Sequence, residues 1–212
     1  MRHLLFAFIS IIALQSQAQK ISLKVQDQKD TTVYLIKYFG SKLFYADTAE
    51  MKNGLVVFDG AKQKPGIVGL FLPGQRYFEF VYNNEDILLE TKGPDFMANM
   101  VIKKSEENKV FIPYVKFISS KKADIAKLSE ERGKLKPEDA QYKALSTQIE
   151  ALNKEVDAYQ ANLIASNPTR LVSKIVKMSM EVVVPESPKD ANGKIIDSAS
   201  LINTISHITG TT

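Results

Sequence analysis

The chain has 212 residues, with 28 Lys and Arg against 24 Asp and Glu, a formal +4, and 44% hydrophobic and 25% charged residues. This is a globular composition, not a disordered or collagen-like one, and so small and scattered a positive excess does not argue for nucleic acid. Cysteine is absent and the two histidines, His3 and His207, sit at opposite ends, which excludes a catalytic thiol, a CxxC pair, a disulfide and a thiolate zinc site, and leaves no basis for a histidine triad or metal cluster.

Arg2 and His3 precede an apolar run, residues 4–14 (LLFAFISIIAL), broken only by Ser10. It is shorter than the ~20 apolar residues a bilayer span needs. Small residues at Ser16 and Ala18 fit signal cleavage after Ala18. Residues 1–18 therefore read as a signal peptide, with a buried core helix as the alternative. The mature chain is expected to begin at Gln19, to lack a membrane anchor and to work in the periplasm.

Residues 19–103 are expected to form a β-sandwich domain. Ile21, Leu23 and Val25 alternate with Ser22, Lys24 and Gln26, which is the period of a half-buried strand. Residues 32–39 (TVYLIKYF) are β-branched and aromatic. Asn53-Gly54 is a hairpin turn signal. Pro65-Gly66, Pro73-Gly74 and Asn83-Asn84 bracket further apolar runs. About eight short strands at this spacing predict an antiparallel sandwich or open barrel. On the strand around residue 80, Phe78, Phe80 and Tyr82 share one face and Tyr77 takes the other. Core packing accounts for three of these; an exposed aromatic strip for a partner is the alternative reading.

Residues 104–181 form a helical segment. Ser105 can cap a helix, and Glu106 and Glu107 suit its positive end. Phe111, Tyr114, Ile118, Ile125 and Leu128 make one apolar stripe. Gly133 to Pro137 break it, and Glu138 opens a second helix with a seam of Leu145, Ile149, Leu152, Val156, Tyr159 and Leu163. The two are expected to pair as an antiparallel hairpin, within the chain or across a dimer. Aspartate at Leu152 is expected to cost several kcal/mol, roughly the scale for an unpaired buried charge. Asn167-Pro168 starts a third helix, and residues 182–212 read as an extended tail. The fold class is thus α+β: sandwich or barrel, helical hairpin, third helix.

Chemistry is hard to find in these residues. There is no GxGxxG and no Walker loop, and Gly66, Gly69 and Gly74 read as turn and strand glycines. The carboxylate pairs Glu85/Asp86, Glu106/Glu107 and Glu130/Glu131 read as solvated charge at turns, helix starts and an exposed helix face. The doublets Lys103-Lys104 and Lys121-Lys122 read as surface. No catalytic, cofactor-binding or metal-ligating residue is assigned, and no cofactor is expected.

Four stretches carry a resemblance. They are KYFGSKLFYADTA (37–49), NGLVVFDG (53–60), PGIVGLFLPGQRYFEF (65–80) and KSEENKVFIPYVKF (104–117), with Asn167-Pro168 and Val184-Pro185-Glu186 in support. Over residues 21–198 the chain resembles envelope thioredoxin-like thiol-disulfide oxidoreductases of anaerobic Gram-negative bacteria. The resemblance implies a β-sandwich domain of unknown function, then a helical segment, then a thioredoxin-like domain carrying the CxxC. This chain departs from it in lacking that last domain, so no catalytic residue carries over. Its end, SLINTISHITGTT (200–212), also matches a one-base-late reading of a family stretch resembling FTYQYYKSHYWDNID, so a change of frame at about residue 199 is expected. Two functions follow. One is a non-enzymatic accessory module of a periplasmic thiol-disulfide oxidoreductase, truncated before the CxxC domain. The other is a stand-alone secreted interaction protein that binds another envelope component. In either case the expected partner is a protein or a second copy, met through the helices or a sandwich face.

Overall fold

The computed structural model describes residues 19–40 and 42–180. The expected signal peptide, the tail and the frame change lie outside the described residues. Within them, strands β1 (Lys20–Gln26), β2 (Thr31–Phe39), β3 (Lys42–Met51), β4 (Leu55–Asp59), β5 (Gly66–Leu72), β6 (Arg76–Tyr82), β7 (Ile87–Lys92) and β8 (Val101–Lys104) precede helices α1 (Asn108–Arg132), α2 (Ala140–Ser166) and α3 (Leu171–Ser179). The strands form two open four-stranded sheets, in the orders β4-β1-β7-β8 and β3-β2-β5-β6. The architecture is therefore an α+β sandwich, not a barrel. The described residues fall in two units that divide after Ile175. In the second, the described part is the end of α3, where the Ser179 hydroxyl donates back to the Val176 carbonyl at 2.8 Å.

Strand alternation builds the core. Ile21, Leu23 and Val25 of β1 are buried, as are Val33 and Leu35 of β2, Val68, Leu70 and Leu72 of β5, and Phe78, Phe80 and Tyr82 of β6. Facing rows of aliphatic and aromatic side chains fill the space between two sheets. One pairing departs from the all-antiparallel expectation: β1 runs parallel to β7, with Ile21 opposite Ile87 and Val25 opposite Thr91. The chain leaves the first sheet after β4, makes β5 and β6 in the second, and re-enters beside β1. A connection that long is free to return in either direction.

Asp86 fastens this junction. Its carboxylate accepts from the Lys20 N–H at 2.9 Å, at the start of β1, and from Lys104 Nζ at 2.7 Å, at the end of β8. The Lys104 ammonium first, then the Lys20 N–H, holds the carboxyl below its ordinary range. A lowered folded-state pKa adds stability above the ordinary value, about pH 4, and that contribution fades as pH falls through the lower folded value. Asp86→Asn should therefore lower the unfolding free energy measured in urea near neutral pH, by the ~0–1 kcal/mol typical of exposed pairs. The gap should close on acidification; a gap that persists to about pH 2 would refute the linkage.

The helices begin where the second sheet ends. β6 is an edge strand, and Asn108, fully buried at the start of α1, covers part of that edge. Asn108 Oδ1 accepts from the Val81 N–H at 2.8 Å, and Nδ2 donates to the Val81 carbonyl at 2.7 Å. One side-chain amide thus replaces a neighbouring strand. Ser105 Oγ accepts from the Asn108 N–H at 3.0 Å, as a cap does. α1 and α2 then pair as the expected antiparallel hairpin, within the chain. Phe117 stacks on Tyr159 with centroids 4.1 Å apart, Gln160 donates to the Tyr114 hydroxyl at 3.0 Å, and Lys121 pairs with Glu155. Leu145, Ile149 and Leu163 are buried in the seam, but Leu152 and Val156 are half-buried, as are Ile118, Ile125 and Leu128. A two-helix seam covers each side chain from one side only. The cost of aspartate at Leu152 is accordingly smaller than a sealed core would impose.

Candidate docking surface

The outer face of the β3-β2-β5-β6 sheet carries aromatic side chains where a sandwich exposed to water normally carries polar ones. Cross-strand pairing aligns Tyr34 with Phe71 and Phe71 with Tyr77. Tyr45 joins them from β3. Its ring centroid lies 4.8 Å from that of Tyr34 and 6.2 Å from that of Phe71, the latter edge-on. Tyr45 is 62% exposed and Tyr77 51%. At the far end of the β2–β3 hairpin, Phe39, Leu43 and Phe44 are also exposed.

A local irregularity puts Tyr45 there. The β2–β3 register shifts between Leu35, opposite Asp47, and Ile36, opposite Tyr45, which leaves Ala46 as an extra residue. A bulge of this kind reverses which face every following side chain takes. Beneath the rings lies Ile36, fully buried although on the outer face. It occupies the space a side chain at Gly69 would need: a Cβ there would stand 3.0 Å from Ile36 Cγ1 and 2.9 Å from the Phe78 carbonyl oxygen. The Tyr38 hydroxyl, 39% exposed as a residue, donates to Glu79 Oε1 across the sheet. Burial first, and the Glu79 carboxylate next, push the Tyr38 pKa up, so the phenol stays protonated and a donor.

The face combines exposed apolar area with phenolic hydroxyls. Tyrosines offer large apolar area at low entropic cost, with hydroxyls left for hydrogen bonds. Contiguous exposed apolar patches mark interaction sites. Of the four aromatics singled out in the sequence, Phe78, Phe80 and Tyr82 are core and Tyr77 is on this face, as strand alternation predicts. Tyr34, Tyr45 and Phe71 were missed; the alternation of residues 31–39 was the available signal for Tyr34.

Two of the carboxylate pairs prove less solvated than expected, while Glu130 and Glu131 are exposed as read. Glu85 Oε1 accepts from Ser105 Oγ at 2.5 Å and from the Glu107 N–H at 3.1 Å, and its Oε2 from the Glu106 N–H at 2.9 Å, placing a negative charge at the start of α1. Glu107 is 4% exposed. Its two oxygens accept from the N–H groups of Leu171 at 3.0 Å and Val172 at 2.9 Å, and so cap α3. Glu106 pairs with Lys109 and Arg170, and Lys109 above all holds its pKa down. Glu130 pairs with Lys134. Glu85 thus ties the start of α1 to the sandwich and Glu107 ties α3 to the start of α1, while Glu130 makes an exposed pair at the far end of α1. Among the described residues there is no cluster of three or more His, Asp or Glu able to hold a metal ion, and no helix is long and apolar enough to cross a membrane.

Residues 19–111 are similar to a family described as a domain of unknown function (DUF4369). The similarity covers all eight strands and ends in the first turn of α1, so the aromatic face belongs to it entirely. Searches of curated proteins and of solved structures return no match.

Proposed function

We propose that the chain is a non-enzymatic docking module of the periplasm that accompanies a thioredoxin-like thiol-disulfide oxidoreductase. The observation that carries this reading is the aromatic face around Tyr45 and Tyr77. The similarity of residues 19–111 to a domain of unknown function and the resemblance of residues 21–198 to envelope oxidoreductases support it. With no cysteine in the sequence, the chain supplies no thiolate. The attack on a substrate disulfide would belong to the partner's CxxC, and the role of this chain is to hold and orient.

A photo-crosslinking amino acid at position 45, in the full chain exported into a native envelope, tests this. The expected adduct contains a protein with a thioredoxin-like CxxC domain. Adducts only with proteins lacking such a domain would favour the stand-alone interaction protein, and no adduct would remove the docking role. Tyr45→Ala and Tyr77→Ala should each weaken the captured complex by about tenfold or more, the scale of an aromatic anchor.

A further inference from the structure

The edge of β6 is only partly covered, and the uncovered part lies in a cleft of about 610 Å³. Gln75, Arg76, Tyr77, Phe78 and Glu79 all line it. Consecutive strand residues point to opposite faces, so a cavity lined by every one of them lies along the strand's edge. The far wall is Phe96 and Met97 of the β7–β8 connection and Val115 and Ser119 of α1.

Backbone parity shows what this edge offers. β6 bonds to β5 on one side only. Val81 turns its N–H and carbonyl away from β5, toward Asn108. Tyr77 and Glu79, two and four residues before it, turn theirs the same way. Neither residue's N–H or carbonyl has a partner among the described residues. Two donors and two acceptors in alternation match the edge of one further strand. With α1 and the β7–β8 connection opposite the edge, a single extended chain fits the cleft better than the edge of a whole sheet. The cleft's length along Arg76 to Glu79 takes about three residues at ~3.4 Å each.

Charge specifies the occupant further. Glu79 and Asp95 line the cleft; Glu79 Oε1 accepts from the Tyr38 hydroxyl and Asp95 Oδ1 from the Ala98 N–H, but neither carboxylate is in an ion pair among the described residues. The one cation there, Arg76, is already satisfied: it donates to the Pro73 carbonyl and to Gln28 Oε1, and its guanidinium lies 5.8 Å from the Phe96 ring centre. A strand laid beside β6 would set one set of side chains against Glu79 on the outer face. The alternate set would meet Phe78 and Phe96 on the other. The geometry points to strand addition: the β6 edge takes an extended peptide segment of a partner protein, with basic residues alternating with apolar ones. This deepens the docking reading by naming the partner's chemistry.

The ¹⁵N-labelled full chain titrated with the peptide acetyl-KVKVKVK-amide tests it. The Tyr77 and Glu79 amides should shift and exchange with solvent about tenfold more slowly, as newly bonded groups do, while the Val81 amide, already bonded to Asn108, should not change. The acidic counterpart acetyl-EVEVEVE-amide should leave all three unchanged. Ser119→Trp, an exposed helix position that fills the cleft, and Glu79→Pro, which deletes one free N–H, should each weaken binding by about tenfold; circular dichroism would check that both variants are folded. Failure of Tyr77 and Glu79 to respond, equal response to the acidic peptide, or unimpaired binding by folded Ser119→Trp would overturn the proposal. Because the crosslink at position 45 reads β3, at the opposite edge of the sheet from β6, loss of strand addition and loss of the docking role give separate signatures.

Discussion

Asn108→Leu should lower the melting temperature by about 6–12 °C. The side chain is fully buried and is the described partner of both the N–H and the carbonyl of Val81. Leucine has a similar size and no hydrogen-bonding atoms. Two backbone groups would then stay buried without partners, at about 1–3 kcal/mol each once relaxation is allowed for. A total near 3 kcal/mol converts at about 2–4 °C per kcal/mol for a chain of this length. Asn108 Nδ2 also donates to Ser105 Oγ at 2.7 Å, so the variant loosens the cap of α1 as well. Asn108→Asp separates the contributions: it keeps the acceptor for the Val81 N–H, loses the donor to the carbonyl, and adds negative charge close to Glu85 and Glu107. It should be at least as destabilising near neutral pH. Calorimetry on both variants is the check. A loss under about 1 kcal/mol for Asn108→Leu would mean that water reaches the β6 edge and that the amide is dispensable.

Most of the strands were legible because one face of each is buried, β3 and β8 being the exceptions. Ile21, Leu23 and Val25 declare a strand by alternation and the structure buries all three. Alternation does not give direction or neighbour, since the partners of Ile21 are Phe58 on one side and Ile87 on the other, both far along the chain. The parallel pair was therefore out of reach, and so was the choice of open sandwich over barrel. Asn53-Gly54 was legible because few residues accept left-handed dihedrals; both have positive φ, 50° and 73°. Ser105 was legible as a cap from its type and place. That Glu85 and Asn108 share its site was not, because those contacts join different elements.

The outer aromatic face was half legible. Tyr77 follows from the parity of one strand. Tyr45 does not: counting back by twos from the buried Met51 places it inside, and the extra residue at Ala46 reverses that parity. A bulge leaves no mark in composition or period, and Ala is not a residue that announces one. Glu107 was misread for a related reason. Asp and Glu are enriched at helix starts for the helix they begin, whereas this carboxylate serves the start of a different helix, α3.

Gly54→Ala should be the most damaging single-methyl change in the sandwich, costing about 3 kcal/mol or more. Two effects add. A φ of 73° puts alanine in the left-handed region at roughly 1–2 kcal/mol. The new Cβ would also stand 2.2 Å from the Val25 carbonyl oxygen, a backbone atom that cannot swing aside as a side chain can. Relief requires the turn to move away from β1, which stretches the 2.7 Å bond from the Val25 N–H to the Gly54 carbonyl and forfeits a further ~0.5–1.5 kcal/mol. That turn carries the chain from β3 in one sheet to β4 in the other, so its displacement loosens the join between the layers. Gly40→Ala isolates the contact from the dihedral. Gly40 has a similar φ, 59°, but nothing lies within 4 Å of its would-be Cβ. It should cost only the left-handed penalty, about 1–2 kcal/mol. Urea unfolding of the two variants side by side measures the difference, which is the energy of pressing a methyl group against the Val25 carbonyl. Equal losses would show that the turn yields freely and that the close approach to β1 stabilises nothing.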